Sequence, residues 1–587
     1  MHRRVAAFTL LALSTSCGDD GTQSTTDAGT SAGTVMTTAG PTASSDATDG
    51  TSAGTESTSS GSETTPTTDG TGTSESDTDP TTDPTTDPST TDETTDSTTT
   101  DTDSESDSDP TTTTTTGGVD ESTCELAAQS LTSAGCLFAP LVLQVYANLP
   151  WAVIAGNTNE EVATATLYGA DGQMIESAQI MPGDAHTFML SGDSPVLQNH
   201  LIDSVTGVFP RALKLESDIP VVAFQFAPFS SSQQATSDAA ILLPYHAWGD
   251  NYLAAAYHNS DNSDSWLSIV SFDDGNEVTV LAPTYMTGQT SAGGGFPALA
   301  AGESGTIIVN DGEVLRVLSP GSGPADLTGV KITSTAPVAL FAGAPTMSIP
   351  GPGFVPYKDH LEEQLPPRTA WGTEYAVIHF RPRGGEEDLY RFVADKDGTT
   401  ITLSGDYNDV LNLNEGEFAE VRTTESFHAA GSESFMVAHY MYSQGMTMGP
   451  KDDALYPGSF LSPNCGPQNQ QTTELGDPAL SFFPPIDQYR YNYTFLTPTT
   501  YAWDMMTIIA PMAGWDSILL DGGALPESPT DLGVAGLGYA RFLLNDGPHE
   551  IHSDAVKFGM EIYGYDCRVS YAFPGGLSLA EINEPPQ

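Results

Sequence analysis

The chain has 587 residues and a formal charge of −59, with 18 Lys or Arg against 77 Asp or Glu. That balance excludes a nucleic-acid-binding protein, because phosphate contacts need patches of Lys and Arg. The acid is unevenly placed: residues 18–118 hold 21 Asp or Glu and no Lys or Arg, and the first such base after Arg4 is Arg211.

At the N-terminus, His2, Arg3 and Arg4 precede the apolar run Val5–Leu13, and Cys17 follows. A nine-residue apolar run suits a signal sequence and is far too short for a hydrocarbon core of roughly 30 Å. The arrangement resembles a bacterial lipoprotein signal, with residues 1–16 removed and Cys17 carrying lipid. Leu13 sits one place further from the cysteine than such signals usually have it. Gly18 after Cys17 fits export to the outer membrane or cell surface. The alternative is ordinary cleavage nearby and free secretion.

Residues 17–118 are mostly Ser, Thr, Asp, Gly and Pro, including TTDPTTDP at 81–88 and a threonine run at 111–116. Such sequence cannot bury enough apolar surface to offset chain entropy, so it is expected to form a disordered acidic stalk, whether or not glycosylated.

From residue 119 to 587 short runs of Val, Ile, Leu, Phe and Tyr alternate with Gly, Asp and Asn turns, which predicts an all-β region. Cys124–Ser133 is the one segment that reads as a short helix. The region repeats itself. Leu243-Pro-Tyr-His-Ala-Trp248-Gly-Asp-Asn-Tyr252 recurs as Leu365-Pro-Pro-Arg-Thr-Ala-Trp371-Gly-Thr-Glu-Tyr375, and more weakly as Phe483-Pro-Pro-Ile-Asp-Gln-Tyr489-Arg-Tyr-Asn-Tyr493. About four units of ~100–120 residues follow, the first lacking the Trp-Gly element. Their size suits a β-sandwich-like unit or, alternatively, paired β-propeller blades. Trp and Tyr at repeated positions point to packing rather than ligand contact.

Apart from Cys17, the cysteines are Cys124, Cys136, Cys465 and Cys567. An even four in an exported chain suggests two disulfides with three possible connectivities; the short gap favours Cys124–Cys136 and leaves Cys465 with Cys567. No CxxC, HExxH, P-loop, dinucleotide fingerprint or GxSxG elbow occurs in residues 119–587, so no metal, cofactor or catalytic residue is expected. Asp273-Asp-Gly-Asn-Glu277 and Asp395-Lys-Asp-Gly-Thr399 look superficially like calcium loops but sit where hairpin turns belong. Asp359, His360, Glu362 and Glu363 could alternatively hold a glycosidase-like acid pair.

Asp359, His360, Glu363, Gln364, Pro366, Trp371, Gly372 and Tyr375 form a run that resembles the N-terminal domain of the IgGFc-binding protein family. Ala336–Gly343, Gly476–Leu480, Phe483–Pro485 and the opening Cys124…Cys136-Leu-Phe138 support the resemblance over about residues 122–580. Lys358 stands where animal members have a cysteine. The resemblance implies a β-rich extracellular recognition domain and names no ligand. The expectation is therefore a lipid-anchored surface protein binding an extracellular glycan, matrix or protein partner. A displayed polysaccharide hydrolase or a structural envelope protein is the alternative.

Overall fold

The computed structural model describes residues 121–143, 148–229, 236–258, 264–284, 289–321, 325–351, 357–443 and 475–586. The signal, Cys17, the acidic stalk and Cys465 lie outside these. In the described part the sheets are antiparallel throughout, and the α-helices are two short ones at Cys124–Ser130 and Pro195–His200. Thr123 and Ser194 cap these helices by accepting the N–H three residues on. The second helix departs from the sequence expectation; Ser194 followed by Pro195 at its first turn is the local signal that marks it.

Four units are each organised by a long strand. In the second unit this is Lys331–Met347. Its first half pairs with Gly249–Leu253 on one side and Asn276–Leu281 on the other, with Ser304–Val309 beyond. Its second half pairs with Trp266–Ser271, which Val314–Leu318 extends. A register shift between Thr333 and Val338 marks an irregularity in the strand, whose two halves carry different partners within one sheet. Lys214–Phe226 and Phe427–Tyr440 do the same in the first and third units. In the fourth the strand is broken into Gly547–Ser553 and Gly559–Asp566, and its two sheets separate.

The inner edge of each unit is filled by the strand that follows it in the chain. Ala239–Leu242 pairs with Lys214–Phe226, and Asp359–Leu365 with Lys331–Met347. Leu480–Phe482 and Val569–Pro574 repeat the arrangement in the last two units. These four inner strands pack beside one another in order, and the fourth returns to the first. Phe224 and Phe573 meet there with ring centroids 4.7 Å apart, and Phe226 meets Tyr571 at 5.5 Å. The first three repeats are thus each one sheet built along its long strand, and the fourth is split into two sheets, while the repeats close around an axis as propeller blades do.

The Trp-Gly element missing from the first unit is divided between the two ends of the folded region. Gly135 stands three residues before Phe138, as Gly249 and Gly372 stand three before Tyr252 and Tyr375. Phe138, Tyr252 and Tyr375 face equivalent long-strand residues, Leu215, Ile332 and Ala429. A methyl group on Gly135, Gly249 or Gly372 would collide with Pro244, Pro367 or Pro485 of the next unit, so each unit stacks on its successor through a Gly–Pro contact. The half preceding Gly135 comes from the C-terminus. The Ser133 N–H donates to Leu577 O at 3.2 Å, Leu579 N–H donates to Leu131 O, and Thr132 bridges Ser578. The ring is closed by the two ends of the folded region.

Candidate functional site

The acidic motif at 359–364 lies at the hub. On an inner strand covered by neighbours on both faces, every residue of Asp359–Leu365 is buried, charged or not. The carboxylates there act as acceptors for inner-strand backbone. Asp238 accepts the N–H groups of Ala239 (2.9 Å), Glu362 (3.1 Å) and Leu480 (3.0 Å), tying three inner strands to one side chain. Asp359 accepts from Ser237 (2.5 Å) and His360 (2.9 Å), and Gln364 accepts from Leu243 at 2.9 Å. Burial pushes Asp238, Asp359, Glu362 and Glu363 well above the ordinary carboxylate range; the charge of Asp477 adds to the effect on Asp359, and that of Asp238 to the effect on Glu363. Burial pulls His360 down to about 3, leaving it neutral beside Glu362 at 3.2 Å. These groups hold the hub together without reaching solvent, so the glycosidase-like reading of Asp359, His360, Glu362 and Glu363 loses its access to a polymer.

The aromatic element forms a repeated corner. The Trp248 indole donates to Leu243 O at 2.9 Å and that of Trp371 to Pro366 O at 3.3 Å. The Tyr252 hydroxyl accepts Gly249 N–H at 2.9 Å and donates to Val338 O at 2.7 Å on the long strand. Tyr375 makes the same pair with Gly372 and Phe435, and Tyr493 with Arg490 and Phe558. Pro366 and Gly372 are buried with them. The motif residues are thus joints of the ring.

Charged side chains bridge the units. Arg391 of the third unit reaches Asp326 (2.8 Å) and Ala256 O (2.6 Å) of the second, over the Tyr257 ring at 4.4 Å. His439 lies between Asp388 (3.0 Å) and Glu561 (3.0 Å) of the third and fourth units, stacked on Phe380 at 3.7 Å. Neither cluster was apparent from sequence, because the partners stand 65 and 122 residues away.

Water-accessible space opens instead at the closing seam. A cavity of about 420 Å³ lies between the first and fourth units, lined by Ala134, Thr158, Glu160 and Glu161 on one side and by Arg490, Tyr493 and Glu550 on the other. Arg490 is held by Glu121 at 2.7 Å. Among the described residues no group of three or more His, Cys, Asp or Glu is placed to hold a metal ion, and no helix is long and apolar enough to cross a membrane. Asp273–Gly275 and Asp395–Gly398 are turns, with Gly275 at φ +70° and Gly398 at φ +74°, but not the hairpin turns expected: the strands each one joins pair with successive stretches of the long strand and not with each other.

Cys124 and Cys136 are joined, with Cα atoms 5.8 Å apart, tying the helix Cys124–Ser130 to the strand Gly135–Phe138. Cys567 is also disulfide-bonded, to a partner outside the described residues. A formed disulfide suits an exported, extracellular protein.

The model of the IgGFc-binding protein family matches residues 238–564, more than half of the chain. The chain belongs to the IgGFc-binding protein family. No curated protein and no solved structure matches it. The family match begins at Asp238, whose side chain ties the inner strands, and ends within the fourth unit. It is narrower than the 122–580 expected from the motifs: the first unit, with its helices and disulfide, lies outside it. The IgGFc-binding domain here is therefore three units of a ring that the flanking segments complete.

Proposed function

We propose that this protein is an exported, lipid-anchored surface protein whose ring-shaped β-domain binds an extracellular protein partner, held off the membrane by the acidic segment 17–118. The observation that carries the binding reading is that the family match falls on the ring itself, from the hub Asp238 into the fourth unit. The Cys124–Cys136 disulfide supports an oxidising compartment. The basic–apolar–cysteine order of residues 2–17 supports the anchor. Cys465 is the remaining candidate partner for Cys567 if Cys17 carries lipid.

The test of binding is a panel of immobilised extracellular matrix proteins, immunoglobulins and glycans offered to the full chain, run beside a polysaccharide-hydrolysis screen. Saturable binding to a protein without hydrolysis is the expected result. Polysaccharide cleavage with no protein bound overturns it. The anchor is tested separately: Cys17→Ser should remove incorporation of labelled fatty acid and release the protein into the medium, since stable anchoring needs more than one acyl chain. Unchanged label and membrane retention would sink it.

A further inference from the structure

The cavity at the closing seam can be compared, residue by residue, with the boundary between the first and second units. The residue before the stacking glycine is Trp248 in the second unit and Trp371 in the third, and Tyr489 holds the corresponding place in the fourth. In the first unit it is Ala134, which lines the cavity. Trp248 packs on Phe272 with centroids 4.9 Å apart. The place of Phe272, directly after the strand beside the long one, is taken in the first unit by Thr158, also in the cavity wall. Both large rings of the first–second boundary are lost here; in the third and fourth units the place of Phe272 is held by Asp395 and Met512.

A charge is lost with them. The long-strand residue just before the one that faces Phe138, Tyr252, Tyr375 or Tyr493 is Lys214, Lys331, His428 or Glu550 respectively. Lys214 crosses to Asp311 of the next unit at 2.6 Å, and Lys331 crosses to Glu415 at 3.2 Å. Those acids occupy matching turns, Asn310-Asp-Gly-Glu313 and Asn414-Glu-Gly-Glu417, with Gly312 at φ +74° and Gly416 at φ +73°. In the first unit the same turn is Met181-Pro-Gly-Asp184, so Pro182 stands where the acid would be. At the closing seam the crossing cation is replaced by Glu550 and its acceptor by proline. Glu160 and Glu161 add two further carboxylates, and none of these three makes an ion pair among the described residues.

The geometry points to this seam as the site for an arginine side chain presented by a protein partner. The missing pieces are apolar bulk and one positive charge. Arg490, the cation already in the wall, lies over Tyr493 and is held by Glu121, so it leaves Glu160, Glu161 and Glu550 without a counter-charge. An arginine supplies both missing pieces: its stem covers Ala134 and Val222, and its guanidinium enters among Glu160, Glu161 and Glu550. The site deepens the reading of the ring as a protein-binding domain and rests on it.

The experiment titrates the full chain with a short blocked peptide, acetyl-Gly-Arg-Gly-amide, and with its citrulline counterpart, which has the same shape and no charge. The arginine peptide should bind saturably and the citrulline peptide at least tenfold more weakly. Glu550→Lys restores the cation found at two other boundaries, and Ala134→Trp restores the ring; each should weaken the arginine peptide more than tenfold with no loss of melting temperature. Glu277→Lys makes the same change of charge at an exposed strand position elsewhere and should leave binding within twofold. Equal weakening by Glu277→Lys, or full binding by Glu550→Lys, overturns the assignment. Should Ala134→Trp not fold, the two lysine variants decide the matter. A panel partner bound equally by Glu550→Lys removes the seam and leaves the binding function standing. An arginine peptide bound through Glu550, with no macromolecule bound, does the reverse.

Discussion

Replacing Trp371 with alanine should cost about 3–5 kcal/mol, the range for deleting a large buried ring. The side chain is 2 % exposed and its indole N–H is bonded to Pro366 O, so truncation leaves both a void and an unpartnered buried carbonyl. The loss should not stay local. Gly372, the next residue, carries the stacking contact with Pro485 of the fourth unit, and its N–H is bonded to Tyr375. A shift of that corner disturbs the boundary as well as the unit. Chemical denaturation of the full chain checks the magnitude. Trp371→Phe, which refills most of the space, should recover more than half of it. Partner binding per folded molecule should stay unchanged; a fully stable Trp371→Ala that no longer binds would move this aromatic from the joint to the recognition surface.

The four units and the role of their aromatics were legible because a unit that must pack against its neighbours repeats its joints at a fixed period. Ring closure was hidden for the complementary reason. The half-element at 131–135 has no Trp, and its other half lies more than 400 residues away at 577–579. The burial of Asp359–Leu365 was hidden by its own composition. Asp-His-Leu-Glu-Glu-Gln-Leu reads as surface or as chemistry, and only the covering of both faces by adjacent sheets turns its carboxylates into backbone acceptors. The seam could have been found from sequence by aligning the long strands rather than the Trp-Gly elements. That column reads Lys214, Lys331, His428 and Glu550, and its one reversal of charge marks the cavity.

His439 should make the domain lose stability in alkali. Burial alone would hold its imidazole neutral, but the charge of Glu561 and the hydrogen bonds that the ring donates to Asp388 and Glu561 outweigh burial and raise its pKa from 6.5 to about 9. A group bound more tightly to its proton when folded contributes fully below pH 6.5, and that contribution fades as pH rises through 9. The difference corresponds to about 3 kcal/mol. On the acid side Asp388 acts in the opposite sense. Burial would raise it, but His379 and His439 hold it below the ordinary carboxylate range, so its contribution is present above pH 3.8 and fades as the pH falls further. The hub carboxyls, raised by burial, also weaken the fold as pH rises, so the imidazole must be isolated by difference. Denaturation of the wild type and of His439→Ala should be compared at pH 6 and pH 9.5. At pH 6 the variant faces two buried carboxylates without their cation and should be weaker by about 3–5 kcal/mol. At pH 9.5 the gap should narrow by most of the imidazole's share, because the wild type has lost its proton too. His439→Ala combined with Glu561→Gln removes one of the stranded charges and should recover part of the deficit at pH 6. A gap independent of pH would mean that His439 packs between Phe380 and Tyr390 as a neutral ring, and that the third and fourth units are joined by shape rather than by charge.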